Sequence, residues 1–258
     1  MGSLRCAWLA DLAGAWLFYS VLPLPPGIQP RFERIARFAP WVGLVIGLLQ
    51  AGLWGLLAGA GLAVQLPLVL ALEIWLTGGL HLDGVMDTAD GLAAGPARCL
   101  EAMDDSRVGA SGVQALLQLL LLRLAGLALL AAAAPWGLVW AAVGARIAPL
   151  LAMQAFPYLR EQGGGTAAFH RHHWRGWLAE LTPALLALLS LSALAWRWGA
   201  GPWWWLGWLV LVPALLVPWQ LGRRLGGHSG DSYGACVEWS LSWGLLLLGL
   251  VRGLLPAG

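Results

Sequence analysis

The stretch Gly79-Leu-His-Leu-Asp83-Gly84-Val-Met-Asp87-Thr-Ala-Asp90-Gly91 places three carboxylates among apolar side chains. If this stretch is helical, Asp83, Asp87 and Asp90 stand at i, i+4 and i+7 and share one face within about two turns. Six of the chain's thirteen acidic residues lie between Asp83 and Asp105. Such a cluster is costly beside hydrocarbon, so we expect it to hold a cation or to carry out chemistry.

The chain around this stretch is strongly apolar. Hydrophobic residues make up 59% of the 258 residues and charged residues 11%, and the mean hydropathy is +0.72. Several apolar runs approach the roughly 20 residues needed to cross a bilayer. The sequence therefore predicts an all-α fold, a polytopic integral membrane bundle in which residues 1–258 form a single domain in contact with the lipid bilayer.

Seven transmembrane helices are predicted from the apolar runs and from breakers such as Pro135 and Pro202. They cover residues 41–60, 64–80, 113–134, 136–156, 178–196, 203–221 and 238–255. The stretch from Ala7 to Leu22 is interrupted by Asp11 and lacks signal-peptide features, so we predict an N-terminal interfacial or re-entrant helix.

The arginines predict the orientation. Arg31, Arg34 and Arg37 precede the first span, and the positive-inside tendency puts that flank in the cytoplasm. Counting crossings then places residues 81–112, 157–177 and 222–237 on the same side. We expect a multi-pass protein of the cell's inner (plasma) membrane whose polar site faces the cytoplasm.

Two classes of partner and site are not indicated. The formal net charge is only +2 and no basic run is long, so no nucleic-acid partner is expected. Cys6, Cys99 and Cys236 share no metal-like spacing and form no disulfide framework.

The carboxylate stripe predicts a magnesium site. Three carboxylates on one face repel one another, and a divalent cation relieves this repulsion. Oxygen-only ligands suit Mg²⁺, which completes its shell with water and substrate phosphate. Gly84 and Gly91 are predicted to let a phosphorylated ligand approach the backbone. The alternative, a solvated loop, gives no reason for three acids in helical phase.

Two further polar segments follow. Asp104, Asp105 and Arg107 lie in Arg98-Cys-Leu-Glu101-Ala-Met-Asp104-Asp105-Ser-Arg107, and such interleaved charges can clamp a diphosphate between metals. The alternative is a salt-bridged surface, which we favour for Glu101. Gly227, Gly230 and Asp231 lie in a glycine-rich segment whose backbone N–H groups suit an anion, or which is simply a turn between spans.

These three segments, in this order and spacing, resemble the cobalamin synthase family, also called adenosylcobinamide-GDP ribazoletransferases. The resemblance extends to Leu22-Pro-Leu-Pro25 and Pro40-Trp-Val-Gly43 and covers most of the chain. One departure is Ser20-Val-Leu-Pro23, where the family more often reads Thr-Arg-Ile-Pro. The resemblance therefore assigns no role to a basic residue near Ser20.

The resemblance implies a phosphotransfer reaction with magnesium as the cofactor. A ribose hydroxyl of α-ribazole or its 5′-phosphate attacks adenosylcobinamide-GDP and expels GMP. The implied metal ligands are Asp83, Asp87 and Asp90, completed by Asp104 or Asp105. His81 or a non-ligating aspartate would take the hydroxyl proton. On a helix His81 faces away from the stripe, so a structural hydrogen bond is an equal alternative.

Other interpretations stay open. Asp87-Thr-Ala-Asp90-Gly91 also resembles the opening of the CDP-alcohol phosphotransferase signature. A cation transporter or a prenyltransferase would instead need a repeat of the aspartate motif, and none is seen. The polar loop of Arg160, Glu161, Gly163–Gly165, His170–His173 and Arg175 is either a lid that contacts phosphate or a positive-inside anchor. The sequence leaves the lower-ligand base and oligomer formation undecided.

Overall fold

The computed structural model describes residues 2–160 and 166–255, so the predicted polar residues Glu161 and Gly163–Gly165 lie outside the described ranges. Within these ranges the chain folds into thirteen α-helices and short 3₁₀ turns, without a β-strand. The helices are α1 Gly2–Tyr19, α2 Ala39–Leu56, α3 Leu62–Thr77, α4 Leu80–Ala94, α5 Cys99–Met103, α6 Ala110–Leu130, α7 Ala134–Ala145, α8 Ala148–Ala155, α9 Thr166–His172, α10 Trp177–Arg197, α11 Trp203–Leu206, α12 Leu211–Leu225 and α13 Gly230–Leu254. The all-α prediction is confirmed.

Membrane-crossing helices are the main feature of the architecture. In the part of the chain that the structure describes, five helical stretches are long and apolar enough to cross a bilayer: Ala36–Leu56, Ala110–Ala155, Trp177–Arg197, Trp203–Leu225 and Gly230–Leu254. Helices α3 and α4, bent by 92° at their junction, add a sixth if they are counted as one broken span. A polytopic membrane protein is therefore confirmed.

The stretch Ala110–Ala155 contains two arms that run in opposite directions. Its 46 residues would extend about 69 Å as one helix, more than twice the thickness of a bilayer core. Arg123 contacts Ser242 and Gly126 packs on Leu245, so α6 runs parallel to α13. Ala141 lies beside Gly244 while Arg146 faces Glu238, so α7 runs antiparallel to α13. The chain reverses at Ala131, whose φ is +47°, and the two arms correspond to predicted spans 113–134 and 136–156.

The predicted span 64–80 requires a correction. Helix α3 ends at Thr77 because Gly78 and Gly79 both take left-handed conformations, with φ of 62° and 70°, which glycine adopts without steric cost. With 16 residues α3 is about 24 Å long, shorter than a bilayer core, and it qualifies as a span only together with α4.

Helix α1 confirms the helical part of the N-terminal prediction, whereas its place relative to a membrane stays a prediction. The buried carboxylate of Asp11 accepts hydrogen bonds from Arg31 at 2.8 Å and from Arg37 at 2.7 Å. Asp11 therefore anchors the arginine-rich segment that leads into α2.

Helix α13 is the centre of the bundle and packs against α4, α6, α7 and α12. Glycines allow the closest approaches. A Cβ at Gly126 would stand 2.6 Å from the Leu245 backbone, and one at Gly47 would stand 2.8 Å from Val139. Gly43 and Gly47 of α2 are spaced four apart where α2 crosses α7, as is common between membrane helices.

Candidate active site

Helix α4 carries the predicted acidic stripe. It begins directly after the Gly78–Gly79 break, so Asp83, Asp87 and Asp90 fall on one helical face. This confirms the helical phase that the sequence predicts.

The N-terminal end of α13 packs against this helix. A Cβ at Gly84 would clash with the carbonyl oxygen of Asp231, and one at Gly234 would make a tight contact with His81 at 3.3 Å. The two helices therefore run antiparallel, and the late glycine segment joins the aspartates although it lies far away in the sequence. Asp87 is within electrostatic reach of both stripe neighbours and of Asp231, and Arg160 is a cation facing it.

Gly84 and Gly91 have a packing role that differs from the one predicted. Gly84 admits the backbone of α13. A Cβ at Gly91 would stand 2.7 Å from the side chain of Met103 and 2.9 Å from the carbonyl oxygen of Cys99. The geometry favours helix packing over the approach of a ligand at Gly91, whereas Gly84 serves packing and also lines the cavity that reaches Asp83.

Asp90 fixes the start of α6. Its carboxylate accepts hydrogen bonds from the backbone N–H groups of Gly109 at 2.7 Å and Gly112 at 2.8 Å. Helix α6 has no side-chain cap of its own at Gly109, so Asp90 provides the negative charge that its N-terminus favours. Each carboxylate oxygen keeps further acceptor capacity for a cation.

Arg160 joins two of the predicted segments. Its guanidinium forms ion pairs with Asp104 and, at 3.3 Å, with Asp231. Sequence reasoning placed Arg160 only in a polar loop with two alternative roles. The structure puts it between the second acidic segment and the start of α13, where a cation offsets carboxylate repulsion.

Asp105 and Arg107 lie outside the cluster around Arg160. They pair with each other at 2.7 Å on an exposed loop, where Arg107 lowers the pKa of Asp105 to about 2. Arg98 and Glu101 likewise form an exposed pair at 3.4 Å, which supports the surface interpretation of Glu101. Of the second segment, the structure brings Asp104 rather than Asp105 or Arg107 into contact with the cluster around Arg160.

His81 faces away from the stripe, as its helical position predicts. It is buried, and its Nδ1 lies 3.7 Å from the Glu238 carboxylate, too far for a hydrogen bond. His81 also lines a cavity that reaches Asp83 and Asp231. Its role as a base stays a prediction.

The glycine segment before α13 positions Arg160. The backbone of His228 exchanges hydrogen bonds with Pro157 and Leu159 at 2.9 and 2.8 Å. A Cβ at Gly227 would stand 2.7 Å from the carbonyl oxygen of Pro157, so this residue serves packing. Burial lowers the pKa of His228 to about 4, and the imidazole is therefore neutral at pH 7. Gly230 begins α13 and lines the cavity.

Sequence reasoning missed a buried ionic network below the site. Arg123 of α6 pairs with Glu73 of α3 at 2.9 Å and with Glu238 of α13 at 2.7 Å. All three side chains are at most 3% exposed. Single charges inside apolar runs are the signal that could have identified Glu73 and Arg123, since such residues rarely occur there without a partner.

The residues fit Mg²⁺ in donor chemistry. Within residues 2–160 and 166–255 no three His, Cys, Asp or Glu side chains are already arranged to hold a metal ion. The stripe and Asp231 nevertheless offer only carboxylate oxygens, the ligands that Mg²⁺ prefers. Arg160 lies where positive charge relieves their repulsion. Magnesium stays a prediction.

These features define a polytopic membrane protein with a carboxylate and arginine cluster at one end of its helical bundle. The chain belongs to the cobalamin-5-phosphate synthase family, whose model matches residues 11–249. An adenosylcobinamide-GDP ribazoletransferase of Prochlorococcus marinus (strain MIT 9313) is 57% identical, over 97% of this chain and 98% of the relative. The protein of the same name from Thermosynechococcus vestitus is 40% identical, over 98% and 99%. No solved structure gives a significant match.

Proposed function

We propose that this protein joins adenosylcobinamide-GDP to α-ribazole or its 5′-phosphate and releases GMP. The chain spans nearly the full length of relatives that carry the name adenosylcobinamide-GDP ribazoletransferase. The observation that carries the proposal within the structure is the convergence of α4, the Asp104 loop, Arg160 and the start of α13 at one cluster. The reaction joins a substrate that carries a diphosphate to one that carries a hydroxyl group. It therefore needs charged side chains from several elements at one place.

The bonds that form and break in this reaction balance, and the charged cluster offers groups for each change. The ribose oxygen forms a bond to the phosphorus attached to cobinamide, the P–O–P bond to GMP breaks, and the hydroxyl proton goes to a carboxylate. Asp231 lines the cavity beside Asp83 and is outside the proposed set of metal ligands, so its carboxylate can orient the hydroxyl. Arg160 can leave its two aspartate partners for the phosphate oxygens, which a guanidinium binds as a planar fork.

Mg²⁺ would be held by Asp83, Asp87 and Asp90, with Asp104, which the ion pair with Arg160 brings to the cluster, as a further ligand. When bound it would neutralise charge on the diphosphate and the leaving GMP. The mutual repulsion of the stripe carboxylates and Asp231 supports a cation here.

We propose that the site faces the cytoplasm from the cell's inner membrane. The cavity beside the cluster is lined by Ala36, in the 3₁₀ turn before α2, and by Ala39, the first residue of α2, directly after the arginine-rich segment. The positive flank and the carboxylates therefore share one end of the bundle, which supports the orientation because positive flanks favour the cytoplasm.

The test is release of GMP by purified protein given adenosylcobinamide-GDP, α-ribazole and Mg²⁺. We expect equimolar GMP and cobalamin product, both dependent on the nucleoside. GMP release that is unchanged when α-ribazole is omitted would indicate a hydrolase and overturn the proposal.

A further inference from the structure

A cavity of about 350 Å³ extends from the carboxylate cluster into the bundle. Its lining along α13 runs from Asp231 to Val237, about 9 Å of helix. Along α4 it runs from Gly84 back to Leu80, toward the junction with α3. The phosphotransfer chemistry uses only the end where Asp83, Asp231 and Arg160 lie.

The inner part of the cavity is lined mainly by aromatic and apolar side chains. Phe18 and Tyr19 come from α1, and Tyr158 and Tyr233 stack on each other with ring centroids 6.3 Å apart at an angle of 14°. Tyr233 also stacks on His228, with ring centroids 5.4 Å apart at 18°, so its faces are partly covered. The aromatic faces that stay open can bind a planar base by stacking, with little dependence on hydrogen bonds.

Several buried polar atoms in the lining lack hydrogen-bond partners among the residues that the structure describes. They belong to His81, Arg146, Arg160, His170 and Tyr233. His170 is 6% exposed, and neither ring nitrogen makes a hydrogen bond of good geometry. Arg146 is 1% exposed, and its Nη1 donates to the Ala142 carbonyl oxygen at 2.8 Å whereas its Nε is without a partner. Buried polar atoms are nearly always paired, so these atoms indicate a ligand with polar atoms of its own.

We infer that this cavity binds the nucleoside substrate, with its two-ring base among the aromatic side chains and its ribose toward Asp231. The inference rests on the proposed function and assigns one of its two substrates to a place. Pockets for small ligands measure about 300–1,000 Å³, a range that includes this cavity. Adenosylcobinamide-GDP, with its corrin ring, adenosyl group and GDP, is far too large for it.

Binding of α-ribazole to the purified full-length protein tests the inference by equilibrium dialysis, without the second substrate. Ala39→Leu places a larger side chain into the cavity lining, and His170→Gln changes the unpaired ring. We expect each to weaken α-ribazole binding and to raise the KM for α-ribazole by about tenfold, with the KM for adenosylcobinamide-GDP unchanged. Ala60→Leu, at an exposed position between α2 and α3, is the matched control and should bind normally.

The outcomes separate this inference from the proposed function. Wild-type protein that releases GMP while both variants keep a normal KM for α-ribazole overturns the cavity assignment alone. Displacement of α-ribazole by GMP in the dialysis would make the cavity the guanosine site and also overturn it. Wild-type protein that makes no product would contradict the proposed function itself. Should Ala39→Leu fail to fold, as judged by gel filtration, His170→Gln decides.

Discussion

At the scale of single residues, the site depends on carboxylates that repel one another until a cation joins them. Asp87 lies between Asp83 and Asp90 on α4 and faces Asp231 from α13. Removing the charge of Asp87 removes a candidate ligand and also relieves repulsion. Activity and stability are therefore expected to change in opposite directions.

Asp87→Ala is expected to lower GMP release by about 10²–10⁴-fold without lowering the melting temperature. Turnover at saturating Mg²⁺ and thermal unfolding in detergent are the two measurements. Glu101→Ala, which removes an exposed carboxylate paired with Arg98, is the control and should keep normal activity. Near-normal turnover of the Asp87 variant would remove this residue from the site.

Asp231→Asn should weaken the binding of the diphosphate substrate and raise the Mg²⁺ concentration needed for half-maximal rate. The amide keeps the size of the side chain but loses the charge that faces Arg160 at 3.3 Å and Asp87. Stability should change little because this ion pair is partly exposed. A magnesium titration identical to that of the wild type would contradict a shared site.

At the scale of elements, the approach of α4 to α13 forms the site, and it depends on Gly84. We expect Gly84→Ala to destabilise the protein by about 1–3 kcal/mol, because the added methyl group would meet the Asp231 carbonyl group and displace the helix. Activity should fall with it. The control is Gly52→Ala in α2, where a Cβ meets no neighbour within 4 Å and alanine favours the helix. Equal melting temperatures for the two variants would contradict close packing at Gly84.

The same elements show how far the sequence could predict the site. Helical phase alone is enough to place Asp83, Asp87 and Asp90 on one face, because spacing within a helix is a local property. The contact of Gly84 with Asp231 and the position of Arg160 depend on how distant helices pack, which no local pattern encodes. The break at Gly78 and Gly79 was missed because the apolar run continues through α3 to its end, and hydropathy does not register a change of direction.

At the scale of the whole molecule, the Arg123 network ties three helices together inside the bundle. Arg123→Met leaves Glu73 and Glu238 as buried carboxylates without their cation, and we expect a loss of about 3–5 kcal/mol. Adding Glu73→Gln to this variant should recover part of that loss, since the one buried carboxylate that remains, Glu238, then still has the buried Arg146 as a nearby cation. Thermal unfolding of both proteins in detergent measures the difference. A double variant less stable than the single one would contradict an electrostatic origin.

The orientation of the whole bundle is tested by Cys99, a half-exposed thiol at the start of α5 beside the carboxylate helix. If the site faces the cytoplasm, a membrane-impermeant maleimide should label Cys99 in inverted vesicles and leave it unlabelled in intact cells. A Cys6→Ser background leaves Cys99 as the accessible target, because Cys236 is buried. Ala60→Cys, in the exposed α2–α3 connection at the other end of α2, should show the reverse pattern. Labelling of Cys99 from outside intact cells would reverse the topology and put the active site on the wrong side for cytoplasmic substrates.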